Sequence, residues 1–186
     1  MNENLEIEYK VMVTKEEYDR VLSRFTDVTV TVQTNHYFRA AGSDKVFRMR
    51  DFGDHVLFTH KKKTSGGRLE HEVVCAEVDP NKSPEVLEYL AGEGMFPPFK
   101  EVGSLTTVRR EVKLPKEADL CLDENHYGEI TDYEIEYEIT GYKGRKKNFR
   151  KILEDAGIAY QKSPLSKQAR AIQEKSRLDS SKENRP

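Results

Sequence analysis

Carboxylates at alternate positions are the feature of this sequence whose spacing most clearly suggests chemistry. Glu6 and Glu8 precede Lys10 near the N-terminus, and every second residue of 134–138 is a glutamate. Because successive side chains of a β-strand point to opposite faces, each set would line one face of a strand. Carboxylate oxygens are the ligands that hard divalent cations prefer. The spacing therefore favours a divalent-metal site.

Basic side chains alternate in the same way in other segments. Arg48 and Arg50 would share one face of a strand, and Lys61 and Lys63 would share one face of the next. Like charges at such spacing repel by about 1 kcal/mol per pair even in water, so each row requires counter-charges. A polyphosphate would neutralise the basic rows as a divalent cation would neutralise the acidic ones.

An ordinary antiparallel sheet with one solvated face would also show this alternation, and for any single strand that alternative stays open. The segregation by sign favours a shared site, because a solvated face usually mixes both signs within a strand. Here residues 134–138 present only acids on the charged face, whereas 48–50 present only bases. We therefore expect the charged faces to converge on one cavity.

The elements that must position these side chains follow from periodicity and turn residues. Eight strands are predicted, at about 5–13, 34–40, 45–52, 55–63, 69–75, 102–113, 118–125 and 130–139. Four helices are predicted, at about 15–25 after a capping box of Thr14 and Glu17, from Pro84 to about 91, between Gly141 and Gly157, and from Ser163-Pro164 onward. Short turns between successive strands favour an antiparallel α+β fold. We expect an eight-stranded barrel with a charged lumen and helices packed outside.

Composition limits the classes of function. Of the 186 residues 34% are charged and 36% hydrophobic, yet the net charge is only -2, which argues against binding nucleic acid or a membrane surface. No run approaches the roughly 20 apolar residues of a membrane span. Cys75 and Cys121 lack metal-ligand spacing, so we expect buried thiols in a cytoplasmic protein. One domain is predicted over 1–178 with a polar tail over 179–186, and oligomeric state is not readable.

Taken in chain order, the charged motifs resemble those of the triphosphate tunnel metalloenzymes, also called the CYTH superfamily, and in particular its short YjbK-like bacterial members. The matching motifs are E-x-E-x-K at 6–10, N-x-Y-F at 35–38, R-x-R at 48–50, T-x-K at 59–61, R-x-E-x-E at 68–72, a basic strand with Arg109, L-D at 122–123, E-x-E at 134–136 and S-K-x-x-R at 166–170. They span nearly the whole chain, so the ordered set is far more specific than any one motif.

The resemblance implies a metal-dependent hydrolase that cleaves the terminal phosphate of a small-molecule triphosphate: inorganic triphosphate, a nucleoside triphosphate or thiamine triphosphate. It implies Mg²⁺ or Mn²⁺ held by Glu6, Glu8, Asp123, Glu134 and Glu136. It implies phosphate binding by Lys10, Arg48, Arg50, Lys61, Arg68, Arg109, Lys167 and Arg170. Two alternatives stay open: an adenylate cyclase that makes cyclic AMP from ATP, and a non-catalytic module that binds polyphosphate or nucleotide.

Two positions depart from the family pattern. Thr107 stands where some members have a second base, so Lys61 or Lys63 is the candidate for activating water. Arg39 stands where many members have aspartate, and it is left out of the predicted site.

The two histidines of the predicted hairpin, His60 and His71, fall on the face opposite the charged rows, and we expect them to pack against a helix.

Overall fold

The computed structural model describes the backbone of residues 2–64, 67–161 and 165–183, and the side chains of 7–62, 69–161 and 165–182. The strands are β1 (Asn2–Glu6), β2 (Glu8–Val13), β3 (Thr29–Ala40), β4 (Val46–Asp51), β5 (Val56–Thr64), β6 (Gly67–Cys75), β7 (Phe99–Leu114), β8 (Ala118–Tyr127) and β9 (Ile130–Ile139). The helices are α1 (Lys15–Leu22), α2 (Pro84–Gly92), α3 (Lys146–Asp155) and α4 (Lys167–Glu183), with a 3₁₀ turn at Pro80–Lys82.

The strands form one sheet in the order β1-β6-β5-β4-β3-β7-β8-β9-β2. The register is described for five neighbouring pairs, and all five are antiparallel: β3 with β4, β4 with β5, β5 with β6, β8 with β9, and β2 with β9. Every predicted strand is present, and the antiparallel α+β class is confirmed. The first predicted strand is two strands divided at Ile7, because β1 and β2 have different neighbours. These two strands stand at the two ends of the strand order and are consecutive in the chain.

The last helix begins later than predicted. Leu165 and Ser166 are not helical, and α4 starts at Lys167. Ser166 is the residue that caps it, since its hydroxyl accepts from the amide of Ala169 at 3.2 Å and its carbonyl accepts from the amide of Arg170 at 3.0 Å. The competing cap at Ser163-Pro164 lies outside the described residues. At its other end α4 continues to Glu183, so the predicted boundary between 178 and 179 falls within it.

The chain divides into two compact units. The first unit comprises Met1–Leu5, Gln33–Thr106 and Ser166–Pro186, and the second comprises Glu6–Val32 and Thr107–Leu165. Each has its own apolar core. Both cysteines are free and buried, which confirms that expectation. No helix within the described residues is both long and apolar enough to pass through a lipid bilayer.

In the first unit the apolar face of the sheet is covered by α2. Phe47 and Met49 of β4 pack with Phe58 of β5 against Val86 and Leu90 of the helix, and all five are at most 1% exposed. The alternate residues of the same strands carry the charges. The period-two pattern thus separates an apolar face that holds α2 from a charged face.

The second unit repeats this arrangement with two helices. Val11 of β2, Leu120 of β8 and Ile135 of β9 are buried with Tyr18 of α1 and Phe149 of α3. Helix α1 is fixed at its N-terminus by the predicted capping box between Thr14 and Glu17. Within each unit, therefore, helices cover the apolar face, as predicted.

Candidate functional site

Acidic side chains of the second unit form a buried cluster on the charged face of β8 and β9. Asp123 lies directly opposite Glu134 in the strand register, and Lys10 of β2 lies opposite Glu136. Asp123 and Glu134 are 0% exposed and Glu136 is 8% exposed. Burying several carboxylates together is costly unless positive charge is close by, so this cluster requires cations.

Arg109 of β7 supplies one of these cations. Its Nε lies 2.8 Å from Oδ1 of Asp123 and its Nη2 lies 2.6 Å from Oδ2, a bidentate pair, while Nη2 also lies 2.6 Å from Oε2 of Glu136. Burial alone would lower the pKa of Arg109, but Asp123 and Glu136 outweigh it and raise the pKa well above its ordinary value. The guanidinium therefore stays charged and fixes both carboxylates.

Lys10 supplies the second cation. Its Nζ lies 2.8 Å from Oε1 of Glu8, 3.6 Å from Oε1 of Glu136 and 3.8 Å from Oε1 of Glu134. Burial opposes the charge on Lys10, yet Glu136, Glu8 and Glu134 together raise its pKa above 10.5. The predicted metal ligands Glu8, Asp123, Glu134 and Glu136 and the predicted phosphate ligands Lys10 and Arg109 are thus brought into one cluster.

Thr107 extends the same face with neutral groups. Its hydroxyl donates to Oδ1 of Asn125 at 2.8 Å, and both residues are 0% exposed. The amide of Asn125 in turn donates to Oδ1 of Asp132 at 3.0 Å. This position therefore holds a satisfied hydrogen-bond chain. No role was predicted for Asn125 from the sequence. It lies two residues after Asp123 on β8, however, and residues two apart on a strand share a face.

The donor chemistry of the cluster fits a hard divalent cation, because the donors of its four carboxylates are all oxygens and their described basic partners are Lys10 and Arg109. Among the side chains that the structure describes, no three His, Cys, Asp or Glu are arranged to hold one metal ion, and Arg109 and Lys10 pair with the carboxylates. Glu6, the remaining predicted ligand, ends β1, and its side chain lies outside the described residues.

Basic side chains of the first unit cluster around a single glutamate. The Nζ of Lys61 lies 2.8 Å from Oε1 of Glu70, directly opposite it on β6. The Nη2 of Arg48 lies 3.9 Å from the same oxygen and donates to Oγ1 of Thr59 at 3.1 Å. Glu70 belongs to the R-x-E-x-E motif at 68–72, but no role was predicted for it. The structure shows that it positions both cations.

Arg50 is held separately, two residues along β4. Its Nε donates to Oδ1 of Asn35 at 3.0 Å, and Asn35 is 2% exposed. The Nε of Arg48 is also buried and makes no hydrogen bond within the described part of the chain. Arg48, Arg50 and Lys61 therefore present donors on one face, as predicted.

Four other predicted site residues are located by their strand register or by their position in a helix. Lys63 and Arg68 lie opposite each other in the register of β5 and β6, but their side chains are outside the described residues. Lys167 and Arg170 lie in the first turn of α4 and are half-buried. This helix packs closely on β7, because a Cβ at Gly103 would lie 2.9 Å from the backbone of Ala171.

The histidines lie on the opposite face, as predicted. The ring of His71 stacks on Tyr89 of α2 with centroids 3.7 Å apart, and Nδ1 of His60 lies 3.2 Å from the hydroxyl of Tyr89. Both are 5% exposed. Burial lowers the pKa of His60, and the carboxylate of Glu93 only partly offsets this. These residues support the helix and the apolar core.

Comparisons with known proteins give a consistent picture. The chain is 28% identical over 188 residues to YjbK of Bacillus subtilis (strain 168), a proposed triphosphatase, with 94% of this chain and 98% of that protein aligned. A solved structure of a proposed adenylate cyclase from Bacillus halodurans is similar with a TM-score of 0.75 and 28% identity, covering 90% of this chain and 98% of that one.

A third protein is similar in fold. It is a proposed adenylyl cyclase from Hippeastrum described as having a dominant triphosphatase activity, with a TM-score of 0.66, 24% identity, and 89% and 94% of the two chains covered. The model of the CYTH domain matches residues 4–172, which is most of the sequence. This chain therefore belongs to the CYTH family.

Proposed function

We propose that this protein is a metal-dependent triphosphatase that hydrolyses the terminal phosphate of a small-molecule triphosphate. The observation that carries the proposal is the buried cluster of Asp123, Glu134 and Glu136 with Arg109 and Lys10 in a chain of the CYTH family. A sheet face that served only solubility would leave such groups exposed, since burying them costs free energy. The description of the Bacillus subtilis relative as a proposed triphosphatase supports the same activity.

In this proposal the carboxylates Glu8, Asp123, Glu134 and Glu136, with Glu6, hold Mg²⁺ or Mn²⁺. A bound divalent cation would neutralise phosphate oxygens and lower the pKa of a bound water. Arg109 and Lys10 pair with these carboxylates and hold them in place. Both cations are also donors suited to phosphate oxygens once the metal shares the carboxylates.

Phosphate binding is assigned to Arg48, Arg50, Lys61, Arg68, Lys167 and Arg170, together with Lys10 and Arg109. The guanidinium groups of Arg48 and Arg50 can each offer two parallel donors to a phosphate, whereas Lys61 acts as a point charge. The ammonium group of Lys61 is ion-paired with Glu70. We assign the same ammonium group to phosphate binding. We also assign the activation of water to Lys61 or Lys63.

The test is product release from purified protein. Inorganic triphosphate, ATP and thiamine triphosphate are each incubated with Mg²⁺, Mn²⁺ or EDTA, and both phosphate and cyclic AMP are measured. We expect phosphate release with at least one substrate, only with metal. Glu8→Gln and Glu134→Gln should lose that activity, whereas Glu88→Gln on the exposed face of α2 should keep it.

Two results would contradict the proposal. Cyclic AMP as the main product from ATP would assign the alternative cyclase activity. Tight binding of triphosphate without any phosphate release would assign the non-catalytic module.

A further inference from the structure

We infer that Arg39 is an additional phosphate-binding residue, which extends the basic face of the first unit by one row and selects substrates with a free phosphate at that end. The inference deepens the proposed triphosphatase function and rests on it. It concerns a residue that was left out of the predicted site because it departs from the family pattern.

The strand register places Arg39 on the charged face. On β3, Asn35 lies opposite Arg50, Tyr37 lies opposite Arg48, and Arg39 lies opposite Val46. Directly opposed residues in an antiparallel pair share a face, and every second residue of a strand returns to it. Arg39 is therefore on the face of Arg48 and Arg50, whereas Phe38 beside it enters the apolar core.

The position of Arg39 also continues a line of positive charge. One face of β4 presents in turn Arg50, Arg48 and Val46. Arg39 lies beside Val46 on β3, so each of these three rows across the strands contains a cation. At about 3.3 Å per residue, the line from the row of Arg50 to that of Arg39 is about 13 Å long. A linear polyanion lying along β4 would meet a cation at each row.

The side chain of Arg39 differs from the other described cations of this face in having no polar partner. Arg48 and Lys61 share Glu70, and Arg50 donates to the neutral amide of Asn35. The side chain of Arg39 makes no hydrogen bond or ion pair among the residues with described side chains, and its Nε is buried. A buried donor without an acceptor destabilises the fold. An anion that accepts a hydrogen bond from Arg39 would remove this free-energy penalty.

The chemistry of the substrate follows from this placement. Inorganic triphosphate carries a free terminal phosphate at both ends, whereas a nucleoside or thiamine triphosphate replaces one of them by an ester. A guanidinium pairs best with the oxygens of a free phosphate, because it can donate two parallel hydrogen bonds to it. Arg39 should therefore favour inorganic triphosphate over the esters.

The test compares Arg39→Met, Arg39→Lys and the control Arg24→Met, which changes an exposed arginine of the other unit that pairs with Asp155. The KM and kcat for inorganic triphosphate and ATP are measured, with binding of inorganic triphosphate by calorimetry. We expect Arg39→Met to raise the KM for inorganic triphosphate roughly ten-fold and leave kcat and the KM for ATP within about two-fold. Arg39→Lys should recover part of the loss, and Arg24→Met should match the unmodified protein.

Thermal unfolding separates this role from a structural one. Methionine keeps the packing of the arginine stem and removes an unpaired charge, so the Tm of Arg39→Met should be unchanged or higher. A lower Tm with equal losses for both substrates would overturn the inference, and so would an unchanged KM. If the unmodified protein binds inorganic triphosphate without releasing phosphate, the proposed function fails, while calorimetry of Arg39→Met still decides the role of Arg39.

Discussion

At the scale of single residues, like charges that follow one another along a strand are compensated across strands. Lys10 meets Glu136, Lys61 meets Glu70, and Arg109 meets Asp123. The repulsion along each strand had suggested that a metal and a polyphosphate supply the missing charges. The structure shows that neighbouring strands supply part of them. A bound metal would then share carboxylates that are already paired with basic side chains, and a bound phosphate would share basic side chains that are already paired with carboxylates.

Lys61 and Lys62 offer a matched test of the two faces. Lys61 pairs with Glu70 on the charged face, whereas Lys62 pairs with Glu93 on the other. Lys61→Gln should lower kcat/KM for the triphosphate on the order of 100-fold, because it removes a cation that binds phosphate. Lys62→Gln should change it less than about two-fold. Steady-state kinetics of both variants decide this, and equal losses would contradict the assignment of faces.

At the scale of elements, α4 can pack closely against β7 because Gly103 has no side chain. A Cβ at Gly103 would lie 2.9 Å from the backbone carbon of Ala171 and from the nitrogen of Ile172, and neither atom can move alone. The helix carries Lys167 and Arg170 in its first turn. The position of these two side chains therefore depends on this contact.

Gly103→Ala should destabilise the protein by about 1–3 kcal/mol, because the added methyl group forces α4 away from β7. Denaturant unfolding measures this, and activity should fall with it if Lys167 and Arg170 bind phosphate. The control is Gly92→Ala at the end of α2, where an added Cβ meets nothing within 4 Å. That variant should keep its stability or gain slightly, and equal effects of the two would exclude close packing as the cause.

The contact between β5, β6 and α2 should make stability depend on pH. Burial lowers the pKa of His60 in the folded protein, so near its ordinary pKa of about 6.5 the unfolded chain binds more protons. The contribution of His60 is therefore complete above that pH and is lost as the pH falls toward the lowered value. His60→Gln should remove this part of the dependence.

The measurement is the free energy of unfolding of both proteins at about pH 7.5 and about pH 5.5, on either side of the ordinary histidine pKa. The loss on acidification should be smaller in His60→Gln than in the unmodified protein. Equal losses would show that groups other than His60 account for the acid sensitivity.

At the scale of the whole molecule, metal and triphosphate should stabilise the fold together. The proposed metal ligands lie in the second unit, and most of the proposed phosphate ligands lie in the first. Because a divalent cation and a triphosphate also bind each other, inorganic triphosphate with Mg²⁺ should raise the Tm more than the two separate shifts combined. A ligand at 100 times its Kd adds about 2.7 kcal/mol. Purely additive shifts in differential scanning fluorimetry would contradict coupled binding of metal and triphosphate.

The sequence by itself determined the eight segments of strand and their charged and apolar faces. A period-two pattern is local, so residues such as Phe47 and Arg48 reveal their faces without knowledge of their neighbours. Capping at Thr14 was predicted for the same reason. The start of α4 was predicted wrongly, because Ser163-Pro164 and Ser166 are equally plausible caps until one of them is seen to accept hydrogen bonds.

Only the tertiary structure decided which charges meet. The pairing of Arg109 with Asp123 and Glu136 joins residues far apart in the chain, and so does the placement of Gly103 against Ala171. Register between strands is set by turns and by packing of the opposite face, so no local pattern specifies it. The division of the first predicted strand at Ile7 has the same origin, since it depends on which strands β1 and β2 join.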